Sequence, residues 1–146
     1  KGRARPESDQ LSKEVLDRLE QRSRLNDHDY GTLRIGKMLS GKPAPDIQDF
    51  LVSIAGDISV EGIKWGGAAI QYLDTTNYLP DIIAPILILS ASEDIVVKPS
   101  ALATLIADLP EAHHVVMQGV GHAPYCEDAD TFNDLIEQFI RRHSDL

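Results

Sequence analysis

The 146 residues predict an α/β chain: a helical first half, then a parallel β-α-β unit and a closing helix. Three observations carry this reading. Up to about residue 80, apolar residues recur at helical spacing and no convincing strand is found. After Pro85 the texture changes, and "ILILS" forms a short continuous apolar run suited to a strand buried on both faces. A second such run, "HHVVMQ", follows a segment of helical periodicity, so the two strands should be parallel and joined by a right-handed crossover.

The elements follow in order. Residues 8–24 read as a helix capped by Ser8 or Asp9, with Leu11, Val15, Leu16 and Leu19 on a narrow apolar stripe. Glu14 with Arg18 and Glu20 with Arg24 stand at i,i+4, which marks the opposite face as solvated. "GTLRIGKMLSG" predicts a short helix ended by Gly41, and Pro43 and Pro45 exclude a helix interior in "KPAPD". Ile47, Phe50, Leu51 and Ile54 then fall at i, i+3, i+4, i+7, an amphipathic helix beginning near Asp46. Residues 59–73 read as helical, although Gly66-Gly67 weakens the propensity. Beyond the first strand, "ASEDIVVKPS" is a loop. Pro99 and Ser100 open a helix with Leu102, Leu105, Ile106 and Leu109 on one face, and Pro110 closes it. The last helix carries Phe132, Leu135, Ile136, Phe139 and Ile140 at helical spacing, with Asp128 and Asp130 where the helix dipole favours acids.

Composition narrows the partners. Apolar residues make up 42%, enough for a packed core, and the net charge is −9. Nucleic acid and anionic membranes are poor partners for such a chain, because phosphate binding needs clustered Lys and Arg. Residues 1–25 carry a net +2, which reads as a solvated helix face. A single cysteine, Cys126, excludes an intrachain disulfide and suits a reducing compartment, so a cytoplasmic location is expected. No apolar run approaches the roughly 18 residues of a membrane span, and no signal peptide is visible. The chain opens on Lys1 rather than Met, which suits a processed product or an excised piece.

Chemistry points to the ends of the two strands. In a parallel sheet, functional side chains collect beyond the carboxyl ends of the strands. Asp94 follows the first strand there, and His122 follows the second on the glycine-framed turn Gly119-Val120-Gly121. A carboxylate that accepts the imidazole Nδ1–H fixes the tautomer and leaves Nε2 free as base and then acid. Glu93 is a rival acid. His113 and His114, adjacent on a strand, point to opposite faces and cannot easily share a metal. No Cys or His spacing suggests zinc. Cys126 reads as a small, partly buried filler rather than a nucleophile. Glu127 and Asp128 read as helix-start acids.

"APILILSASEDIVVKPSALATLIADLPEAHHVVMQGVGHAPYCEDADTFNDLIEQFI" resembles the C-terminal end of the α/β-hydrolase fold. The pattern is carried by Ile83, Pro85, the "ILILS" run, Asp94, Pro99 and Gly121-His122, and it spans roughly residues 80–142. The resemblance implies the C-terminal part of an α/β-hydrolase parallel sheet preceded by a helical cap segment: a cap over residues 1–80 and a βαβα part of the core over 81–146. It implies that Asp94 is the triad acid and His122 the triad base. It implies hydrolysis of a carboxylic ester or related acyl bond, with no cofactor and no metal. Epoxide, halide and C–C bond hydrolysis occur on the same fold. Apolar residues of the cap region, Trp65, Met38, Phe50 and Tyr72, together with Tyr125 beside the catalytic turn, are the candidates for substrate contact.

One departure is large. The family's nucleophile sits in G-x-S-x-G on a strand-to-helix elbow, and no serine of this chain has glycines two residues to either side. No H-G-G-G-type oxyanion segment occurs either. The expectation is therefore that the nucleophile and the rest of the sheet belong to a companion polypeptide or a missing N-terminal half, and that these residues alone are inactive. The rival expectation is an inactive fragment or pseudoenzyme that serves as an interaction module.

Overall fold

A computed structural model describes residues 11–40 and 43–144. The expected caps Ser8 and Asp9, and the expected helix stop Gly41, lie outside the described residues. Seven α-helices and two strands follow one another among the described residues: α1 (Lys13–Arg24), α2 (Asp27–Ile35), α3 (Pro45–Gly56), α4 (Val60–Tyr72), β1 (Leu87–Ala91), α5 (Pro99–Asp108), β2 (His113–Met117), α6 (Pro124–Glu127) and α7 (Ala129–His143). A 3₁₀ turn at Thr76–Asp81 precedes β1. The chain divides into two compact units, Lys1–Ile35 with Asp49–Leu79, and Gly36–Gln48 with Pro80–Leu146. The division therefore falls inside α3 and assigns the segment 36–48 to the unit that holds the strands.

The first unit is helical. Ser12 caps α1 by accepting the Val15 N–H, and Ser59 caps α4 by accepting the Gly62 N–H at 2.9 Å. Each satisfies a donor that the first turn of a helix leaves unpaired. Helices α1 and α4 approach closely at Gly67, where a Cβ would stand 2.7 Å from the Val15 side chain. The buried Gln71 accepts the Ser12 N–H at 2.6 Å. The Glu20–Arg24 pair expected on α1 forms at 2.7 Å, and Lys13 pairs with Asp17 at 2.9 Å. Helix α2 begins well before the expected segment, where Asn26 accepts the Asp29 N–H, and ends at Ile35.

One expectation fails in this unit. Phe50 and Ile54 of the predicted apolar stripe on α3 are 60% and 52% exposed, whereas Val52 and Gly56 are buried. The cause is close backbone packing: Gly31 of α2 abuts the Val52 carbonyl, and Gly56 of α3 abuts Asp27. Glycine contacts choose the inward face, and periodicity alone reports only which residues share a face.

In the second unit β1 and β2 pair in parallel, with Leu87 opposite His113 and Ala91 opposite Met117, as the β-α-β reading requires. Ile88, Met117, Val120 and Ala123 form its buried apolar set. Here too burial falls short of expectation. Only Ile88 is buried in β1, and neither α5 nor α7 buries a residue despite their apolar stripes. Two strands offer the crossover helix α5 and the closing helix α7 little surface to pack on. Ile83, Ile95 and Val116 are exposed in the same unit. No helix among the described residues is long and apolar enough to cross a membrane.

Candidate active site

The site is built from two loops on one edge of the sheet. Parallel pairing sends both chains out beyond Ala91 and Met117 on the same side. The Ser92 N–H donates to the Met117 carbonyl at 2.9 Å, and the Glu93 N–H to the Val120 carbonyl at 3.0 Å. The Gly119 N–H donates to Ser92 Oγ at 2.8 Å. These bonds lace the two loops together one residue at a time.

Asp94 is fixed from within its own loop. Its Oδ1 accepts the Val96 N–H at 2.7 Å and the Val97 N–H at 3.0 Å, an Asx-type turn. Oδ2 is thereby aimed across the edge and meets His122 Nδ1 at 3.0 Å. Because an ionised carboxylate only accepts, Nδ1 carries a proton, and in the neutral imidazole Nε2 then keeps its lone pair. Asp94 is 15% exposed and His122 32% exposed, so the carboxylate is sheltered while the imidazole reaches solvent.

Burial, the largest influence, pushes the Asp94 pKa up. The His122 hydrogen bond, the Val97 and Val96 N–H groups and the His122 charge together outweigh it, so the carboxyl lies below its ordinary value. A folded pKa below the unfolded one means stability that is fully present above the unfolded value, about 3.9, and lost as pH falls through the folded one. Asp94→Asn should therefore lower the urea midpoint at neutral pH. The gap to the wild type should close in acid, below roughly pH 4. Unfolding curves of both proteins across that range check it.

The glycines of the turn act for different reasons. Gly119 has φ +71°, a left-handed conformation that favours glycine. Gly121 is needed for space: a Cβ there would stand 2.7 Å from the Met38 carbonyl oxygen and 2.8 Å from the Ser40 nitrogen. Both neighbours are backbone atoms and cannot swing aside. Gly121→Ala should cost about 1–3 kcal/mol of stability, measurable by urea unfolding.

The structure brings together some of the expected site residues. Met38 belongs to the unit of the pair, and its backbone carbonyl accepts the His122 N–H at 2.7 Å. Tyr125 follows the turn on α6, half exposed, with its ring edge-on to Phe132 at 5.9 Å between centroids. Phe50, Trp65 and Tyr72 lie in the helical unit, all exposed, with Trp65 at 71%. Glu93 is exposed, and its carboxylate accepts from Ser92 Oγ at 3.4 Å. His114 pairs with Ser90 Oγ at 2.8 Å across the two strands. Cys126 is partly buried, and burial, followed by the Glu127 charge, raises its pKa, which disfavours the thiolate. Among the described residues no group of His, Cys, Asp and Glu could hold a metal ion.

Glu127 differs from its expected part. Asp128 does cap α7, accepting the Thr131 N–H at 3.2 Å. Glu127 instead ends the single turn of α6 and points back to the His122 turn. Its Oε1 accepts the Gly121 N–H at 2.8 Å and its Oε2 the Ser40 N–H at 3.0 Å. The only sequence signal for this is a carboxylate closing a Pro-initiated turn five residues after the histidine.

No family model matches the chain. It is 38% identical over 76 residues to a protein of Pantoea ananatis named "Putative carbamate hydrolase RutD", a match spanning 52% of this chain and 28% of that one. A protein of the same name in Klebsiella pneumoniae is 37% identical over 68 residues, 47% of this chain and 26% of that one. Among solved structures, a thermophilic esterase from Thermogutta terrifontis superposes with a TM-score of 0.75 at 20% identity, covering 96% of this chain and 53% of that one. An enol-lactonase from Burkholderia xenovorans LB400 gives 0.72 at 19% identity, covering 87% and 50%. An esterase from Exiguobacterium antarcticum gives 0.76 at 16% identity, covering 88% and 47%. The matches thus span about a quarter of the curated relatives and about half of the solved structures. With its parallel strands, crossover helix and closing helix, the chain has the C-terminal part of the α/β-hydrolase fold.

Proposed function

We propose that these residues are the acid–base part of a hydrolase that cleaves carboxylic esters or related acyl bonds, carbamates among them, through a Ser-His-Asp triad. The observation that carries this is the His122 Nδ1–Asp94 Oδ2 hydrogen bond of 3.0 Å, with Oδ1 fixed by two backbone N–H groups. A serine outside these 146 residues attacks the carbonyl. His122 Nε2 takes the serine proton and returns it to the leaving group, and Asp94 holds the tautomer and stabilises the imidazolium. Backbone donors of an oxyanion hole, also outside these residues, receive the developing charge.

The partner in this reading is the polypeptide that carries G-x-S-x-G and completes the sheet. Two facts support it. The solved neighbours are about twice as long as their match to this chain. The strands and helices of the second unit leave apolar side chains such as Val116 and Ile140 exposed, where more sheet would cover them. Met38 and Tyr125 are the substrate contacts proposed for the unit of the pair. Phe50, Trp65 and Tyr72 are apolar surface that the helical unit offers to an acyl chain.

A fluorophosphonate probe tests the reading, because it labels only a serine activated by a base. In the native polypeptide, label on a serine flanked by glycines, together with turnover of a short-chain ester or carbamate, is the expected result. The 146 residues alone should take no label. If the native protein takes no label and turns over neither substrate, the enzyme reading fails and the interaction-module reading replaces it.

A further inference from the structure

Glu127 is not needed as an acid or base by the proposed chemistry, yet its carboxylate accepts two backbone N–H groups, one nearby in sequence and one far away. Gly121 N–H is one and Ser40 N–H is the other, 87 residues away. A third bond closes the same loop: the His122 N–H donates to the Met38 carbonyl at 2.7 Å. The segment 38–40 and the turn 121–122 are thus tied in both directions, with Glu127 as the bridge. Gly121 is buried, so its N–H has no solvent to fall back on.

We propose that Glu127 is a positioning residue for His122, clamping the imidazole's turn to the 38–40 segment so that Nε2 is held on the line of proton transfer. The proposal rests on the reading of His122 as the catalytic base. A hydrogen bond to an ionised acceptor is shorter and stronger than a neutral one, which suits a carboxylate to this task. Two acceptor oxygens on one rigid plane set the spacing between the two N–H groups. An amide supplies only one acceptor and turns an N–H toward the other donor. Alanine supplies neither and leaves the buried Gly121 N–H unpaired. The turn then relaxes, and His122 moves with it, because the two residues share a peptide unit.

The test uses the native, catalytically active polypeptide with Glu127→Gln, Glu127→Asp, Glu127→Ala and His122→Ala. Two readouts are taken: steady-state ester kinetics per folded molecule, and the downfield proton resonance of His122 Nδ1–H bonded to Asp94. Glu127→Ala should lower kcat by on the order of 10- to 100-fold, since a displacement of about 1 Å at a reacting group costs that much. KM should stay within about twofold, because the effect falls on the transition state. The Nδ1–H resonance should shift or broaden, with Glu127→Gln intermediate between the wild type and Glu127→Ala. Unchanged kcat and an unchanged resonance in Glu127→Ala overturn the proposal. So does failure of all three Glu127 variants to fold, which would make the residue purely structural. Should Glu127→Ala alone fail to fold, Glu127→Gln and Glu127→Asp decide by the same two readouts. Wild-type turnover in His122→Ala would sink the catalytic reading separately. The resonance would then judge the clamp alone, a shift in Glu127→Ala supporting it and no shift overturning it.

Discussion

Replacing His122 by alanine in the active protein should lower kcat for an ester by on the order of 10⁵- to 10⁶-fold. The reason is that nucleophile and base work as one unit. A serine hydroxyl is a poor nucleophile until its proton has somewhere to go, and in the proposed triad Nε2 is the acceptor. The hydrogen bond to Asp94 makes this specific, because it places the proton on Nδ1 and leaves the lone pair on Nε2. The loss should appear in kcat rather than KM, since the imidazole acts in the transition state. What remains above the uncatalysed rate should reflect the oxyanion hole and substrate binding. His114, bonded to Ser90 between the strands, is the control: His114→Ala should leave kcat near the wild-type value. If His122→Ala keeps more than about a hundredth of the activity, the base lies elsewhere, since general base catalysis alone contributes about 10²–10⁴-fold.

The pair was legible because topology brings its two loops to one edge of the sheet. Two parallel strands put the loops of Asp94 and His122 on one edge, but Glu93 stands on the same loop, and Asp94 is preferred to it by its place in the α/β-hydrolase-like pattern. Gly119 and Gly121 were legible as a turn, but their two separate reasons, a positive φ and a close backbone approach, come only from coordinates. Glu127 was not legible. Its role depends on where the N–H groups of Gly121 and Ser40 point, and a sequence does not record backbone direction. The stripe Ile47, Phe50, Leu51 and Ile54 shows the opposite kind of limit. The helix it predicted is present, but the contacts of Gly31 and Gly56 turn Val52 inward instead. Amphipathic spacing on α5 and α7 likewise located the helices without telling what covers them.

The second large effect is expected at Asp94. Asp94→Asn preserves size and one acceptor oxygen, so the turn through Val96 and Val97 can persist. The atom facing His122 then becomes an amide N–H. It can only donate, so Nδ1 must accept, and the imidazole proton moves to Nε2. The ring should stay in place but present a donor where the proposed mechanism needs an acceptor. On that ground kcat should fall by on the order of 10⁴-fold, nearly as far as in His122→Ala, with the fold intact. Glu93→Gln, one residue away and exposed, should change kcat little. Imidazole ¹⁵N shifts separate the causes. A swap of the protonated nitrogen with the ring still ordered means the carboxylate acts through the tautomer. An unchanged tautomer with lost activity would mean that Asp94 acts instead by stabilising the imidazolium charge. Full activity in Asp94→Asn with loss in Glu93→Gln would transfer the acid's role to Glu93 and contradict the geometry of the site.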